Sequence, residues 1–151
     1  MKRLFMETTK IDPEQTVGEI QKVLGKYGAE KILTEYKNNE VSSVSFSIKI
    51  NNNDIPFKLP CRQEAIYRML SSRIKKHHSG TEKRIQIQAK RVAWRQILRW
   101  IEAQLALVET NMVKIQEVFM PYIQINKEQT LFDKLEQEKF RMLEYKKEER
   151  C

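Results

Sequence analysis

Apolar and polar residues alternate along part of the first half of the chain, as they do in strands that bury one face. The clearest alternation spans residues 44–50, and a second, at 55–59, follows the turn-forming run Asn51-Asn52-Asn53-Asp54. With an extended stretch at 29–37, these patterns predict a three-stranded antiparallel meander. Its open face would carry four polar side chains, Ser45, Ser47, Lys49 and Lys58.

Before the meander, apolar residues recur at a helical spacing instead. Asp12 and Pro13 predict a helix start, with the aspartate as the N-cap and the proline in the first turn. Gly28 is a natural end for this helix. The residues expected to face the core are Val17, Ile20, Val23, Leu24 and Tyr27.

The chain after the meander is predicted to be helical. A short helix over 62–74 leads through a basic, flexible loop at 75–80 into a long helix over 82–110. The short helix should bury Ile66, Met69 and Leu70.

Two further helical segments are expected near the end of the chain. An apolar turn over 113–120 is stopped by Pro121, while Thr130 and Asp133 have the spacing of a capping box. The charged end, residues 146–151, is expected to be solvated. The last helix should turn a set of apolar residues toward a partner surface: Leu131, Phe132, Leu135, Phe140 and Leu143.

The long helix has two contrasting faces. Its apolar face, predicted to be buried, consists of Ile87, Trp94, Ile97, Leu98, Ile101, Leu105 and Val108. Arg84, Arg91, Arg95 and Arg99, which we call the arginine row, fall within an arc of roughly 80° on the other face. Acidic residues are missing at the positions where i,i+4 pairing would place them, so the row is expected to be exposed and unpaired.

The fold class that follows is α+β, with an N-terminal helix, a three-stranded antiparallel meander and a helical C-terminal half containing one long amphipathic helix. Residues 1–11 are interpreted as an N-terminal tail and 12–125 as a single domain. Residues 126–151 are interpreted as a C-terminal helix, packed on the domain or on another subunit.

The positive charge of the chain is regional. Its net charge is +8, and the window from Arg62 to Arg99 contains eleven basic residues but only two acidic ones, Glu64 and Glu82. The remainder of the chain is therefore close to neutral. A regional surplus of this kind indicates an anionic partner for that surface.

The sequence offers little that is typical of an enzyme. His77 and His78, the only histidines, are adjacent in a loop without clustered carboxylates, so we expect solvated side chains rather than metal ligands. Phosphate-loop, nucleophile-elbow and zinc-protease motifs are absent. We therefore expect a protein that is not an enzyme, with no cofactor and no metal.

The compartment is predicted from the cysteines and the hydropathy. Cys61 and Cys151 lie far apart and form no disulfide framework, which favours a reducing cytoplasm. No apolar run approaches the roughly 18 residues needed to span a bilayer, and the basic start lacks the apolar core of a signal peptide. A membrane partner is not expected.

Three interpretations of the arginine row stay open: a polyanion site, an ordinary exposed helix face, and a site for an acidic protein. The first is favoured because a line of guanidinium groups suits a phosphate backbone. The candidate binding residues are Arg84, Arg91, Arg95, Arg99, Lys75, Lys76, Arg73, Lys49 and Lys58.

Trp94 and Trp100 invite a base-stacking role, but their helical positions favour a structural one. Trp94 shares the apolar face of the long helix. Trp100 lies on a surface of small residues, where another helix or subunit would pack. Around Ala89, Ala93 and Ala103 this surface is compatible with a homo-oligomer.

Four segments resemble a family of small uncharacterised proteins encoded by phages and prophages. They are residues 19–29, 55–60, 91–105 and 117–122, so the resemblance extends over most of 12–125. The family has no assigned activity, and what it implies is a setting in the cytoplasm of a bacterial host. That setting favours DNA replication, recombination or interference with host defence.

Two hypotheses of function follow. The first is a nucleic-acid-binding protein that tracks the backbone of single-stranded DNA or RNA, in a groove between the open face of the meander and the arginine row. The second is an anti-defence interaction protein, which inhibits a host nucleic-acid-processing complex or sequesters a nucleotide signal. In the second, the same arginines would bind carboxylates or a small phosphate ligand.

Overall fold

A computed structural model describes residues 2–145 and has the predicted α+β architecture. The predicted solvated end at 146–151 lies outside the described residues. Two 3₁₀ turns, Met120–Tyr122 and Arg141–Leu143, accompany the regular elements. In chain order these elements are α1 (Pro13–Lys26), β1 (Ala29–Lys37), β2 (Glu40–Ile50), β3 (Asn53–Lys58), α2 (Gln63–Ser72), α3 (Thr81–Glu109), α4 (Ile115–Phe119) and α5 (Leu131–Gln137).

The sheet is an antiparallel meander in the order β1-β2-β3, and both of its hairpins turn on asparagine pairs. Asn38 and Asn39 have φ of 52° and 62°, and Asn51 and Asn52 have φ of 50° and 66°. Two consecutive left-handed residues are what a tight hairpin turn of the right twist requires, and asparagine tolerates that conformation. The turn signal thus sets the register of the sheet.

One face of the sheet carries the core, with α1, α3 and α4 packed against it. Val44, Phe46 and Ile48 alternate inward from β2, as predicted. Trp94 is fully buried, which confirms its structural assignment. The complete buried cluster is Val17, Ile20, Leu24, Val41, Val44, Phe46, Ile48, Phe57, Leu59, Trp94, Leu98, Ile101, Leu105 and Phe119.

The other face of the sheet is less open than the alternation predicts. Ile123 forms an antiparallel bridge with Phe57, and the Gln124 amide donates to the Pro56 carbonyl at 2.8 Å. Ser45, predicted to be exposed, is buried between neighbouring strands near this segment. The expected open polar face is therefore partly covered by the chain's own continuation.

Two side chains predicted to be buried are exposed. Met69 of α2 is 49% exposed, and Ile87 of α3 is 41% exposed. Both belong to the helical hairpin formed by α2 and the first turns of α3, and neither lies in the main core cluster. The periodicity of α3 is continuous, but the sheet covers only the part of the helix that begins at Trp94.

The helix starts and ends differ from the sequence prediction in two places. Asp12 occupies the N-cap position of α1, yet its side chain makes no capping hydrogen bond. Thr130 and Asp133 do form the predicted capping box at the start of α5. That helix stops at Gln137, because Lys139 and Phe140 have positive φ, so the predicted continuation to Leu143 is wrong.

Candidate nucleic-acid interface

The third member of the arginine row is a buried ion-pair residue. Arg95 is 4% exposed, and its Nη1 donates to Glu19 Oε2 at 2.9 Å and to Thr16 Oγ1 at 3.3 Å. Helix α1 supplies both acceptors. A buried charge is tolerated when it is paired and hydrogen-bonded, which is the case here. The prediction that Arg95 is exposed is wrong.

Two more arginines of the row are paired with carboxylates at the surface. Arg91 contacts Asp12 Oδ1 through Nη2 at 2.9 Å and Nε at 3.0 Å. Arg99 contacts Glu102 at 2.8 Å, within its own helix. The prediction that the row is unpaired is therefore wrong for Arg91, Arg95 and Arg99. Tertiary packing brings in acids that the spacing along α3 does not reveal.

The residues before α1 lie along the same side of α3. We call residues 2–12 the N-terminal segment. The Gln88 amide donates to the carbonyls of Glu7 and Thr9 at 2.8 and 2.9 Å, and the Gln96 amide donates to the Phe5 carbonyl at 2.8 Å.

A carboxylate of the N-terminal segment also reaches the candidate residue at the end of α2. Arg73 pairs with the Glu7 carboxylate, and its Nη2 donates to the Lys2 carbonyl at 3.0 Å. Nearby, Lys90 of α3 pairs with Glu40 of β2. This part of the basic window is consequently neutralised.

The basic charge that stays free is concentrated at the start of α3. Lys75, Lys76, Lys83 and Arg84, which we call the hairpin cluster, are all exposed. Within residues 2–145 none of these four side chains has a carboxylate partner, in contrast to Arg73, Lys90, Arg91, Arg95 and Arg99, while Arg62 and Arg68 are also unpaired but lie outside the cluster. Arg84 is the one member of the arginine row that belongs to it.

An open groove of about 730 Å³ runs beside the hairpin cluster, between α2 and α3. Its apolar lining comes from Leu70 and Ile74 on one side and Ile87 on the other. Lys83, Arg84 and Arg91 line the same groove, together with Gln88 and Gly80. The arrangement combines an aliphatic floor with cations at the rim.

The two candidate lysines of the sheet lie apart from this groove. Trp94 and Leu98 place α3 on the core face of the sheet, while Lys58 and Lys49 belong to the alternate positions of β3 and β2 on the other face. Lys58 lines a separate cleft with Arg62 and Asp133. The predicted groove between the polar sheet face and the arginine row is therefore wrong.

The end of the sheet that carries Lys49 also contains its own charge pair. Lys31 Nζ donates to Asp54 Oδ2 at 2.8 Å. This hydrogen bond, with the attraction between the charges, lowers the pKa of Asp54 and raises the pKa of Lys31. Lys49 thus faces a carboxylate that stays ionised, which weakens any pull on an anion there.

The small-residue surface of α3 is largely used inside the chain. Ala89 and Ala93 are buried, which excludes them from the subunit contact that the sequence suggested. Trp100 packs edge-to-face on Phe119 and on Tyr122, with ring centroids 5.4 Å apart in each pair. Its structural assignment is confirmed, and the packing partner is another helix of the same chain.

The histidine loop offers no ligand set. His77 and His78 are exposed, and the His78 amide donates to Thr81 Oγ1 at 3.1 Å at the start of α3. In the described part of the chain, no three His, Cys, Asp or Glu side chains come together as a possible metal site. Burial raises the pKa of the Cys61 thiol, so that this cysteine is held in its unreactive form.

Sequence reasoning missed Lys83 and the acids of the N-terminal segment. Lys83 does not share the helical spacing of the arginine row, although its position next to Arg84 on α3 is exposed. Glu7 and Asp12 lie 66 and 79 residues before their partners Arg73 and Arg91. The only feature of the sequence that distinguishes these two acids is their position just before α1, in a stretch that is otherwise basic.

No protein-family model, curated protein or solved structure matches this chain. Among the helices formed by residues 2–145, none is both long and apolar enough to cross a bilayer. The candidate binding site is the hairpin of α2 and α3, where the exposed cations lie next to the apolar groove.

Proposed function

We propose that this protein binds the backbone of single-stranded DNA or RNA through the hairpin cluster and the adjoining groove. A bacterial cytoplasm, which is the setting expected from the phage resemblance, would offer such strands during replication and recombination. The observation that carries the proposal is the division of the basic window. Arg73, Lys90, Arg91, Arg95 and Arg99 are paired with carboxylates, whereas the four cations of the hairpin cluster are exposed, close together in the chain and unpaired within the described residues. Arg62 and Arg68 are exposed and unpaired as well, but they do not line the groove.

Unpaired cations side by side repel one another, and a phosphate backbone removes that repulsion while releasing its own counterions. Lys75 and Lys76 are adjacent in a loop, and Lys83 and Arg84 follow on the first turns of α3. Four cations of this kind allow contact with a few consecutive phosphates. Binding should consequently depend strongly on salt and weakly on sequence.

A single strand is favoured over a duplex because of the groove floor. Leu70, Ile74 and Ile87 are aliphatic, and Ile87 is exposed to solvent beside the cations. Unstacked bases of a single strand can cover such a surface, while a duplex keeps its bases inside the stack. Contact of the bases with the apolar floor adds to the binding free energy a contribution that screening by salt does not remove.

A second candidate function is anti-defence binding to an acidic surface of a host protein. Arg73 and Arg91 already hold the carboxylates of Glu7 and Asp12, so carboxylate recognition at this helix occurs within the chain itself. An acidic partner at the hairpin cluster would repeat the same chemistry. Such a partner would bind with a fixed stoichiometry.

The test is fluorescence anisotropy with labelled single-stranded DNA, single-stranded RNA and duplex DNA over a range of salt. We expect micromolar or tighter binding to the single strands, with the logarithm of the affinity falling linearly with the logarithm of the salt concentration. The variant Lys83→Glu/Arg84→Glu should lose at least about tenfold in affinity, since it replaces two attractions by two repulsions.

The matched control is Lys127→Glu/Lys134→Glu, which changes the net charge equally at exposed positions in the C-terminal part of the chain. Its affinity should stay within about threefold of wild type if contact is local rather than a response to net charge. Absence of binding at low salt would refute the proposal. Equal losses in both variants would remove the hairpin cluster as the site.

A further inference from the structure

We propose that Arg73, Gln88 and Arg91 form a second anion-binding site, which the N-terminal segment covers within the same chain. The inference rests on the proposed function, because it assigns this site to the same nucleic-acid strand. When the segment leaves, the strand contacts extend from the hairpin cluster along α3. The carboxylates of Glu7 and Asp12 thus stand where phosphates would bind.

The contacts of the N-terminal segment are those of a bound ligand. Glu7 places its carboxylate on Arg73 and its carbonyl on the Gln88 amide at 2.8 Å. Asp12 accepts from two nitrogens of Arg91, at 2.9 and 3.0 Å. An anion held by an arginine fork next to an amide donor is the arrangement by which proteins also hold phosphate groups.

The covered site is continuous with the hairpin cluster. Gln88 and Arg91 line the groove that also contains Lys83 and Arg84. Arg73 ends α2 and is followed in the chain by Ile74, whose side chain forms part of the groove floor. A strand bound at the cluster would meet the N-terminal segment at the far end of the same groove.

The N-terminal segment is held by polar contacts rather than by the core. Residues 2–12 include no buried side chain, and Phe5 is 61% exposed. Removing the segment uncovers the partly buried Leu4, Met6 and Ile11 but leaves the core cluster intact, since none of these residues belongs to it. Arg95 differs, because Glu19 and Thr16 belong to α1, whose Val17 and Ile20 are part of the core.

Competition between carboxylate and phosphate can be measured with a variant that weakens only the ion pairs of the N-terminal segment with Arg73 and Arg91. The variant Glu7→Gln/Asp12→Asn keeps the size of both side chains and removes their charge. We expect it to bind a labelled (dT)₂₀ strand about tenfold more tightly than wild type at low salt. Its salt slope should be steeper by about 1.4, the value for two additional single-strand phosphates.

The matched control is Glu136→Gln/Glu138→Gln, which raises the net charge by the same amount at exposed positions of the C-terminal part. A control as tight as Glu7→Gln/Asp12→Asn would overturn the covered site, because net charge alone would then explain the gain. If the wild type binds (dT)₂₀ and Glu7→Gln/Asp12→Asn binds it no more tightly, the covered site is overturned while the proposed function stands.

Hydrogen exchange supplies an independent readout of the same displacement. Amides of residues 3–11 should exchange faster when (dT)₂₀ is bound, whereas a ligand confined to the hairpin cluster would leave them unchanged. Faster exchange would support the covered site, and unchanged exchange on saturated protein would overturn it. If neither wild type nor Glu7→Gln/Asp12→Asn binds any strand, both the proposed function and this inference fail.

Discussion

The start and the middle of one helix carry the same kind of side chain and differ in what those side chains do. At the start of α3, Arg84 is exposed next to an open groove, and no carboxylate contacts it within the described residues. Eleven residues further on, Arg95 is buried and fixed by Glu19. The difference comes from the surroundings, because the sheet and α1 cover only the later part of the helix.

The comparison teaches that a row of arginines is not in itself a binding surface. A guanidinium group that a carboxylate of the same chain already matches contributes to association only when that carboxylate is displaced. In this protein α1 and the N-terminal segment supply matching acids to Arg95 and Arg91. The same sequence pattern therefore serves stability at the middle of α3 and is available for recognition at its start.

The largest expected effect contrasts apolar residues of these two parts of α3, its start and its middle. Leu98 is fully buried in the core cluster, and Leu98→Ala should lower the free energy of unfolding by about 2–5 kcal/mol. Ile87 occupies the same predicted face but is 41% exposed, so Ile87→Ala should cost less than about 1 kcal/mol. Urea unfolding followed by tryptophan fluorescence measures both.

Equal losses in these two alanine variants would break the comparison. They would mean that the hairpin end of α3 is packed as tightly as the sheet end. Leu98→Ile serves as a control, since it preserves volume and should cost less than about 1.5 kcal/mol.

The next effect separates the two partners of the buried ion pair. Glu19→Ala leaves the guanidinium of Arg95 buried with only Thr16 as an acceptor, and should cost about 2–4 kcal/mol. Arg95→Met fills the same space with an apolar chain and leaves Glu19 partly hydrated, so its cost should be below about 1 kcal/mol. The measurement is again equilibrium unfolding.

Glu14, exposed on the same helix, gives the matched control. Glu14→Ala should change stability by no more than about 0.5 kcal/mol. A larger loss in Arg95→Met than in Glu19→Ala would show that Arg95 contributes mainly through the packing of its stem. The assignment of Arg95 to stability would then stand on packing rather than on the ion pair.

Much of the fold could be predicted because its determinants are local. The alternation at 44–50 places Val44, Phe46 and Ile48 in the core, and the asparagine pairs define both hairpins. The long helix was predicted over 82–110 and spans Thr81–Glu109. Each of these signals is contained within a few residues of its element, where periodicity and turn chemistry decide the structure.

The pairing of the arginines could not be predicted in the same way. The acids that neutralise Arg91 and Arg95 lie 79 and 76 residues away in the chain. Side-chain rules for a helix count partners three or four positions apart, and by that rule only Arg99 has an acid in reach, Glu102 at the end of the row. Which residues meet across such a distance depends on how α1 crosses α3, a property of the whole packing.

Asp12 and Asp133 show the same contrast for aspartates, since one has a partner distant in the chain and the other a local one. Both follow the sequence rule for a helix start, but Asp12 is drawn to Arg91 while Asp133 accepts from the Thr130 amide and hydroxyl, each at 2.9 Å. These two hydrogen bonds, the backbone one first, lower the pKa of Asp133. The local motif thus persists although Arg62 lines the same cleft, since among the described residues no arginine forms an ion pair with Asp133.

The smallest expected effect follows from this lowered pKa. A carboxyl group with a depressed folded pKa stabilises the fold above its unfolded value of about 3.9, and that contribution is lost as the pH falls through the folded pKa. Asp133→Asn should therefore cost about 0.5–1 kcal/mol at pH 7 and almost nothing well below pH 3. Urea unfolding of the wild type and of Asp133→Asn at the two pH values measures the difference. The control Glu136→Gln, on the same helix, should lose no stability at either pH. A loss from Asp133→Asn that persists at low pH would assign the contribution to the shape of the side chain, and the ionised cap would then have no part in holding α5.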